Sequence, residues 1–298
     1  MSAALGIACA ATIAAGQDME PRAYSASPIG ANFLVMTYSR STGSVVFDPT
    51  LPVTDVNATV EGVALAVGHS FDLFGDLATV AVALPYAWAN VTGKVQEQAA
   101  AVSRSGLADA RIRLAVNLVG NPAMSARDFV RALRRTIVGA SLIVQAPTGQ
   151  YYDTKLINLG NNRWGFKPEV GVSVPIRRLD ADFYVGGWFF TANDNFYPGQ
   201  LVRTQDAVLA LQAHVSYTLR PRLWFAFDST WYSGGAAQVE GGPPLSGVDN
   251  SRAGATLSLP VGRRYSLKLA YGSGVTVRTG TNFNTFAVAW QALWLSPR

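Results

Sequence analysis

The segment RWGFKPEVGVSVP, residues 163–175, alternates two kinds of residue: Phe166, Val170, Val172 and Val174 on one parity, Lys167, Glu169, Gly171 and Ser173 on the other. Successive side chains of a β-strand point to opposite faces, so this is a strand that addresses two different surroundings. The same alternation, bounded by turn residues, marks twelve segments: 32–41, 58–72, 77–93, 107–119, 135–148, 164–176, 181–192, 206–219, 222–233, 251–261, 265–278 and 284–294. Beyond the N-terminus no apolar run reaches the roughly 18 residues that a membrane-spanning helix requires. Yet the chain is 49% hydrophobic and 14% charged, where an average soluble protein carries about 25% charged residues. A transmembrane β-barrel reconciles the two facts, because each strand places an apolar residue against lipid at every second position. A large β-sandwich would explain the apolar content but not so well the shortage of charge.

The connections sharpen the choice. Four links are short, DLFG, RRLD, RP and VGRR, and they alternate with long links rich in Gly, Pro, Asn and Asp, such as GQYYDTKLINLGNNR, NDNFYPGQLVRTQ and GGAAQVEGGPPLSGVDN. Outer-membrane barrels have tight periplasmic turns and longer extracellular loops. The expected fold is therefore all-β, a transmembrane antiparallel barrel of about 12 strands in the bacterial outer membrane, with both termini periplasmic. Two links depart from the rule. GNPAMSARDFVRALR is long on the turn side, where SARDFVRAL reads as a short helix capped by Ser125, and the last outward link, TGTNFN, is short.

The opening MSAALGIACAATIAAG is small, apolar and uncharged, like the central region of a secretory signal, with Ala14 and Gly16 suited to cleavage before Gln17. The expected division is a signal peptide over 1–16, an N-terminal periplasmic or lumen segment over 17–31, and the barrel over 32–298. Cys9, the single cysteine, falls in the signal, so the mature chain is expected to hold no disulfide or thiolate metal site. The formal charge of +5 is spread over single Lys and Arg residues and short doublets, which is no nucleic-acid footprint.

Parity assigns the faces. Ile112, Leu114, Val116 and Leu118 point to lipid, and Asp109, Arg111, Arg113 and Asn117 inward; Leu223, Phe225, Phe227 and Trp231 point out, and Asp228, Thr230 and Tyr232 in. Leu209, Leu211, Val215 and Tyr217 face lipid, with Gln212, His214 and Ser216 inside; Leu267, Leu269 and Tyr271 point out, with Ser266 and Lys268 inside. A Lys or Arg on the lipid face at the bilayer midplane costs about 2–4 kcal/mol, which is the reason for a wet interior face. Residues 58–72 resist this reading, because small residues alternate with Val and Leu, and Glu61 and His69 are left unassigned. Trp88, Trp188, Trp224, Trp231, Trp290 and Trp294 are candidates for interfacial belts.

The functional candidates are the residues expected to line the lumen: Asp109, Arg111, Arg113, Lys167, Glu169, Asp182, Tyr184, Trp188, His214, Asp228, Tyr232, Arg252 and Lys268. They serve either solute passage or a cross-strand network that narrows the pore. His214 and Ser216, two apart on one strand, resemble the spacing of outer-membrane phospholipases, but a serine nucleophile needs a base in reach and an orienting third group, and the pair is expected to face inward. Asp48, Asp55 and Asn57 have no known calcium-loop spacing. No catalytic residue, metal or cofactor is expected.

The segments YSASPIGANFLVMTY, VVFDPTLPVTDVNA, SFDLFGDLATVAVALPYA, SRSGLADARIRLAVNLVG, TIVGASLIVQAPTGQYYDTKLINLGNNRWGFKPEVGVS and GRRYSLKLAYGSGV resemble the outer-membrane family named for a MetA-pathway of phenol degradation. The resemblance spans nearly the whole mature chain and implies uptake of small hydrophobic or aromatic compounds by a monomer whose partners are membrane lipid and a small-molecule solute. The alternatives are a barrel enzyme acting on lipid and a structural or adhesive barrel whose loops bind a partner.

Overall fold

The structure is a computed structural model that describes residues 19–46, 53–95, 97–197, 200–240, 242 and 244–296. The expected signal peptide, its cleavage point and Cys9 lie outside the described residues. In chain order the elements are β1 (Ala31–Val46), β2 (Val53–Leu73), β3 (Asp76–Val95), β4 (Gln98–Leu107), β5 (Arg111–Pro122), α1 (Ala126–Arg131), β6 (Ile137–Gln145), β7 (Gly165–Ile176), β8 (Leu179–Phe190), β9 (Asn193–Phe196), β10 (Leu201–Gln205), β11 (Val208–Arg220), β12 (Leu223–Gly234), β13 (Ala237–Val239), β14 (Val248–Val261), β15 (Tyr265–Val277) and β16 (Gly280–Leu295).

Twelve of these strands close into a barrel. The hydrogen-bonded order is β2-β1-β16-β15-β14-β12-β11-β8-β7-β6-β5-β3, and β2 pairs with β3 to complete the ring. Each pairing is antiparallel, including β1 with β16, which joins the two ends of the sheet. Closure leaves no strand edge unpaired, which is the condition for a β-sheet to span lipid. The remaining strands extend the loops. β4 folds back on the far part of β3, from Tyr86↔Leu107 to Val95↔Gln98, so the sequence expectation of a plain loop there is corrected. β9, β10 and β13 form a small separate sheet within two other long loops.

One end of the barrel carries the tight turns. Phe74 and Gly75 both take positive φ, 54° and 95°, the backbone that matches the twist of a two-residue hairpin, and Asp72 Oδ1 accepts from the Gly75 amide at 2.7 Å. α1 lies at the same end, with the Ser125 side chain accepting from Asp128 N at 3.2 Å as its N-cap. The other end carries the long loops.

The burial is inverted relative to a soluble protein. Large apolar side chains stand exposed all round the outside, among them Met36, Leu65, Leu84, Ile112, Val170, Phe183, Val215, Phe227 and Tyr271. Lys167, Glu169, Gln212, His214, Ser216, Asp228 and Arg252 are buried within. An apolar surface this continuous is a lipid face. Glu61 and His69, unassigned by parity, both point outward: Glu61 accepts from Tyr38 Oη and Arg40 Nη1, each at 3.2 Å, and His69 Nδ1 lies 2.8 Å from Asn32 Oδ1. Trp88, Trp231 and Trp294 stand on the outer surface. Two belt candidates are corrected: Trp188 and Trp224 are buried in the interior, on the parity of Tyr184 and Asp228.

Candidate functional site

The lumen is crossed by a segment that does not belong to the wall. Just before β1, residues 19–30 lie within the barrel toward its turn end and place Arg22 and Tyr24 among the inward side chains of β5 to β12. Arg22 Nε donates to Ser216 Oγ at 2.8 Å, Nη2 to Asp180 Oδ2 at 2.8 Å and to Thr218 Oγ1 at 2.7 Å, and its amide to Asp182 Oδ2 at 3.1 Å. Its guanidinium lies 4.6 Å from the centre of the Trp224 ring. Tyr24 Oη reaches Ser141 Oγ at 3.0 Å and donates to Glu169 Oε1 at 3.2 Å, while its ring meets Tyr184 edge-on at 5.2 Å. Space is made for that ring: a Cβ on Gly139 or Gly171 would lie 2.2 or 2.3 Å from it. Sequence reasoning placed this segment under or inside the pore without identifying Arg22 or Tyr24, which sit in no periodic pattern.

Around the insert the inward residues form a network. Lys167 Nζ pairs with Glu169 Oε2 at 2.8 Å, and the same oxygen accepts from Gln212 Nε2 at 3.0 Å. His214 Nδ1 lies 2.7 Å from Asp228 Oδ1, and Thr256 Oγ1 donates to Asp228 Oδ2 at 2.8 Å. Arg113 lies 5.2 Å from the Tyr24 ring centre, and Lys268 lies 5.5 Å from that of Trp224. Arg252 Nη2 donates to the Phe283 carbonyl at 3.0 Å. Paired and hydrogen-bonded in this way, charges can be held away from bulk water. Ser216 Oγ therefore accepts from Arg22, and His214 is oriented by Asp228. Among the described residues no hydrogen bond joins His214 to Ser216, so the spacing that resembled a phospholipase does not assemble a nucleophile and its base.

Toward the loop end, Asp109 has a different part. It was expected on a strand, but it lies in the link between β4 and β5, where its carboxylate accepts from Gln145 Nε2, Gly149 N, Asn161 N and Asn161 Nδ2 at 2.9–3.0 Å. It staples the loop between β6 and β7 over the mouth of the barrel. Arg111 lies 5.9 Å from the Trp188 ring centre, and Trp188, Tyr232 and Val208 pack together in the same region. Arg163, just before β7, is buried there over Phe190. Desolvation lowers its pKa, with the nearby charge of Arg203 adding to the shift and Asp109 opposing it.

Three cavities follow from this layout. One of about 420 Å³ opens at the turn end, beneath Arg22 and beside α1. Two others, of about 250 and 130 Å³, lie at the loop end and share Gln145 and Asn161. No lining residue of the first belongs to either of the others. The layer between them holds Tyr24, Lys167, Tyr184, Gln212 and His214, all nearly inaccessible.

A closed barrel of twelve antiparallel strands, apolar outside and polar within, is the fold of an outer-membrane protein. The family described as "Putative MetA-pathway of phenol degradation" matches residues 37–291, and the chain belongs to it. The fold is similar to that of an outer membrane channel from Pseudomonas putida F1, at 20% identity and a TM-score of 0.80 over 93% of this chain and 100% of that one. It is less similar to the β domain of the Bordetella autotransporter BrkA, at 12% identity and a TM-score of 0.50 over 89% and 100% of the two chains. The transport unit of the autotransporter AIDA-I from Escherichia coli gives 9% identity and a TM-score of 0.50, over 90% of each. No curated protein matches the sequence.

Proposed function

We propose that the protein is an outer-membrane channel for the passive uptake of small hydrophobic or aromatic compounds, acting as a monomer. Its turn end and both termini face the periplasm, and its long loops face the exterior, the orientation usual for such barrels. One observation carries the reading: the layer that stops the lumen is completed by an insert, Arg22 and Tyr24, which meets the inward side chains Lys167, Tyr184, Gln212 and His214 of the wall. Arg22 and Tyr24 stand between the turn-end cavity and the two loop-end cavities, held by side-chain hydrogen bonds and one ion pair. Such a segment can open locally while the hydrogen-bonded ring around it stays intact.

The solute class rests on the lining. One side of the cavity of about 250 Å³ is walled by Ala58, Ala87, Ala89, Val60, Val91 and Phe283, small and apolar residues that favour an apolar guest, and Asp109, Arg111, Gln145 and Asn161 line its polar side. Arg111, Arg113, Lys167, Glu169, His214 and Arg252 border the polar side of the path. The phenol-degradation description of the family and the channel from Pseudomonas putida F1 agree with this reading.

Planar-bilayer conductance and aromatic-solute flux into proteoliposomes test it. The native protein is expected to pass little current, and the double variant Arg22→Ala/Tyr24→Ala several times more, because both anchors of the insert are gone. If neither form conducts ions or admits any aromatic compound, the proposal fails.

A further inference from the structure

The smaller loop-end cavity measures about 130 Å³. An apolar cavity of about 150 Å³ is filled by one benzene molecule, so this one is on the scale of a single ring. Its walls suit a ring. Trp188 and Phe190 lie parallel, 4° apart at 6.1 Å, and Val208 and Tyr232 close the side.

One corner is chemically different. Arg163 is 7% exposed and lines the cavity with its guanidinium 4.2 Å from the Phe190 ring centre. Nη2 donates to Gln205 Oε1, but Nε and Nη1 have no acceptor among the described residues. The indole Nε1–H of Trp188, a residue 2% exposed, has none either. Asp109, the carboxylate whose charge acts on Arg163, is committed to four other donors, from Gln145, Gly149 and Asn161. Buried donors without acceptors are unfavourable and uncommon. Two such side chains on one cavity, one of them a cation, fit a ligand that offers acceptors only and a negative charge. A carboxylate meets both conditions, and its hydrogen bonds to guanidinium are charge-assisted.

We propose that this cavity binds a single-ring aromatic carboxylate, the ring lying among Trp188, Phe190 and Tyr232 and the carboxylate accepting from Arg163 and from Trp188 Nε1. The site names a substrate class for the channel and rests on that reading only for the route by which the ligand arrives.

Calorimetric titration of the intact protein in detergent tests the site with three probes: benzoate, benzyl alcohol (a ring without charge) and acetate (a charge without a ring). Benzoate is expected to bind at least about ten-fold more tightly than either, the factor that a charge-assisted hydrogen bond supplies. Arg163→Gln should abolish that advantage and leave benzyl alcohol unchanged. Trp188→Phe, which keeps a ring and removes the N–H, should weaken benzoate by less, and Arg163→Lys should retain part of the preference. Retained heat-modifiable migration on gels shows that each variant is folded. Equal affinity for benzoate and benzyl alcohol, or benzoate affinity untouched by Arg163→Gln, overturns the site. Conductance measured on the same preparations separates the two ideas: current without benzoate preference removes the site and leaves the channel, whereas benzoate preference with no current in any form removes the channel and leaves the site.

Discussion

The two halves of the lumen wall are built by opposite means. On β1, β2, β3 and β16 the inward residues include Phe33, Val35, Ala64, Ala66, Ala81, Ala83 and Ala289, which pack as one apolar cluster, and the uncharged Thr37, Ser39, Ser41 and Gln291. From β5 to β14 they are Arg113, Lys167, Glu169, Asp182, Gln212, His214, Asp228 and Arg252, mostly buried and joined by hydrogen bonds and ion pairs. This half is held mainly by packing and carries no inward charge in that cluster, with local pairs such as Ser41 Oγ and Thr285 Oγ1 at 2.9 Å. The polar half needs partners, and part of what it finds is the N-terminal segment: the polar contacts of Arg22, Ala23 and Tyr24 go to β5, β6, β7, β8 and β11. The polar contacts of the insert gather on one wall, while Met19 lies against Gly254 and Gly272 of β14 and β15; on the proposed function, that asymmetry is what lets the stopper be withdrawn.

The sharpest test of this difference is to break a polar partner and an apolar one side by side. Lys167→Met leaves the Glu169 carboxylate buried without its cation and is expected to cost about 3–5 kcal/mol, the usual penalty for breaking a buried pair. Lys167→Met/Glu169→Gln should recover most of that loss, since no uncompensated charge remains. Ala83→Val in the apolar cluster overpacks a filled site and should cost about 1–3 kcal/mol. Urea unfolding midpoints in lipid vesicles check all three, and equal losses for Lys167→Met and Ala83→Val would erase the distinction between the walls.

A second contrast uses two glycines. A Cβ at Gly139 would meet the Tyr24 ring at 2.2 Å, and one at Gly68 would meet Phe33 at 2.0 Å. Tyr24 belongs to the insert and Phe33 to the wall. Gly139→Val is therefore expected to expel the segment, raising conductance several-fold and opening residues 19–26 to protease. Gly68→Val should instead strain the sheet, at about 1–3 kcal/mol, with conductance and cleavage unchanged. Proteolysis followed by bilayer recording distinguishes the two.

The same division governs what could be read from the sequence. β7, β11 and β12 alternate charged or polar residues with apolar ones, so parity alone assigned Lys167, Glu169, His214 and Asp228 to the lumen, where they are found. In β2 both parities are apolar, and the side of Glu61 and His69 emerged only from the register. The inward side of Trp224 is legible in its parity, which it shares with Asp228 and Thr230 and not with Phe225 and Phe227. Asp109 and Arg163 lie just outside their strands, where period two ends and long-range folding decides the position. Arg163 opens the very segment whose alternation was clearest, yet its place in the cavity depends on Phe190 and Gln205, which are distant in sequence. For Arg22 and Tyr24 no local pattern exists, because what holds them is spread over six strands, β5 to β8, β11 and β12.

The smallest expected effect concerns the outside of the apolar half, where Arg40 and Glu61 form an ion pair at 3.2 Å on the lipid-facing surface. Their register opposes Arg40 to Phe286 and Glu61 to Trp88, and Tyr38 donates to the same carboxylate. An aromatic cluster with hydroxyl and charge belongs at the membrane–water interface. There a charge on the outer face costs about 0–1 kcal/mol, against about 2–4 kcal/mol at the midplane, and an exposed pair contributes about as little. Arg40→Ala/Glu61→Ala should therefore shift stability by less than about 1 kcal/mol in either direction. A gain of several kcal/mol would put the pair at mid-depth in the hydrocarbon. It would then move the apolar band along the barrel axis, and with it the depth at which the Lys167–Glu169 layer sits in the membrane.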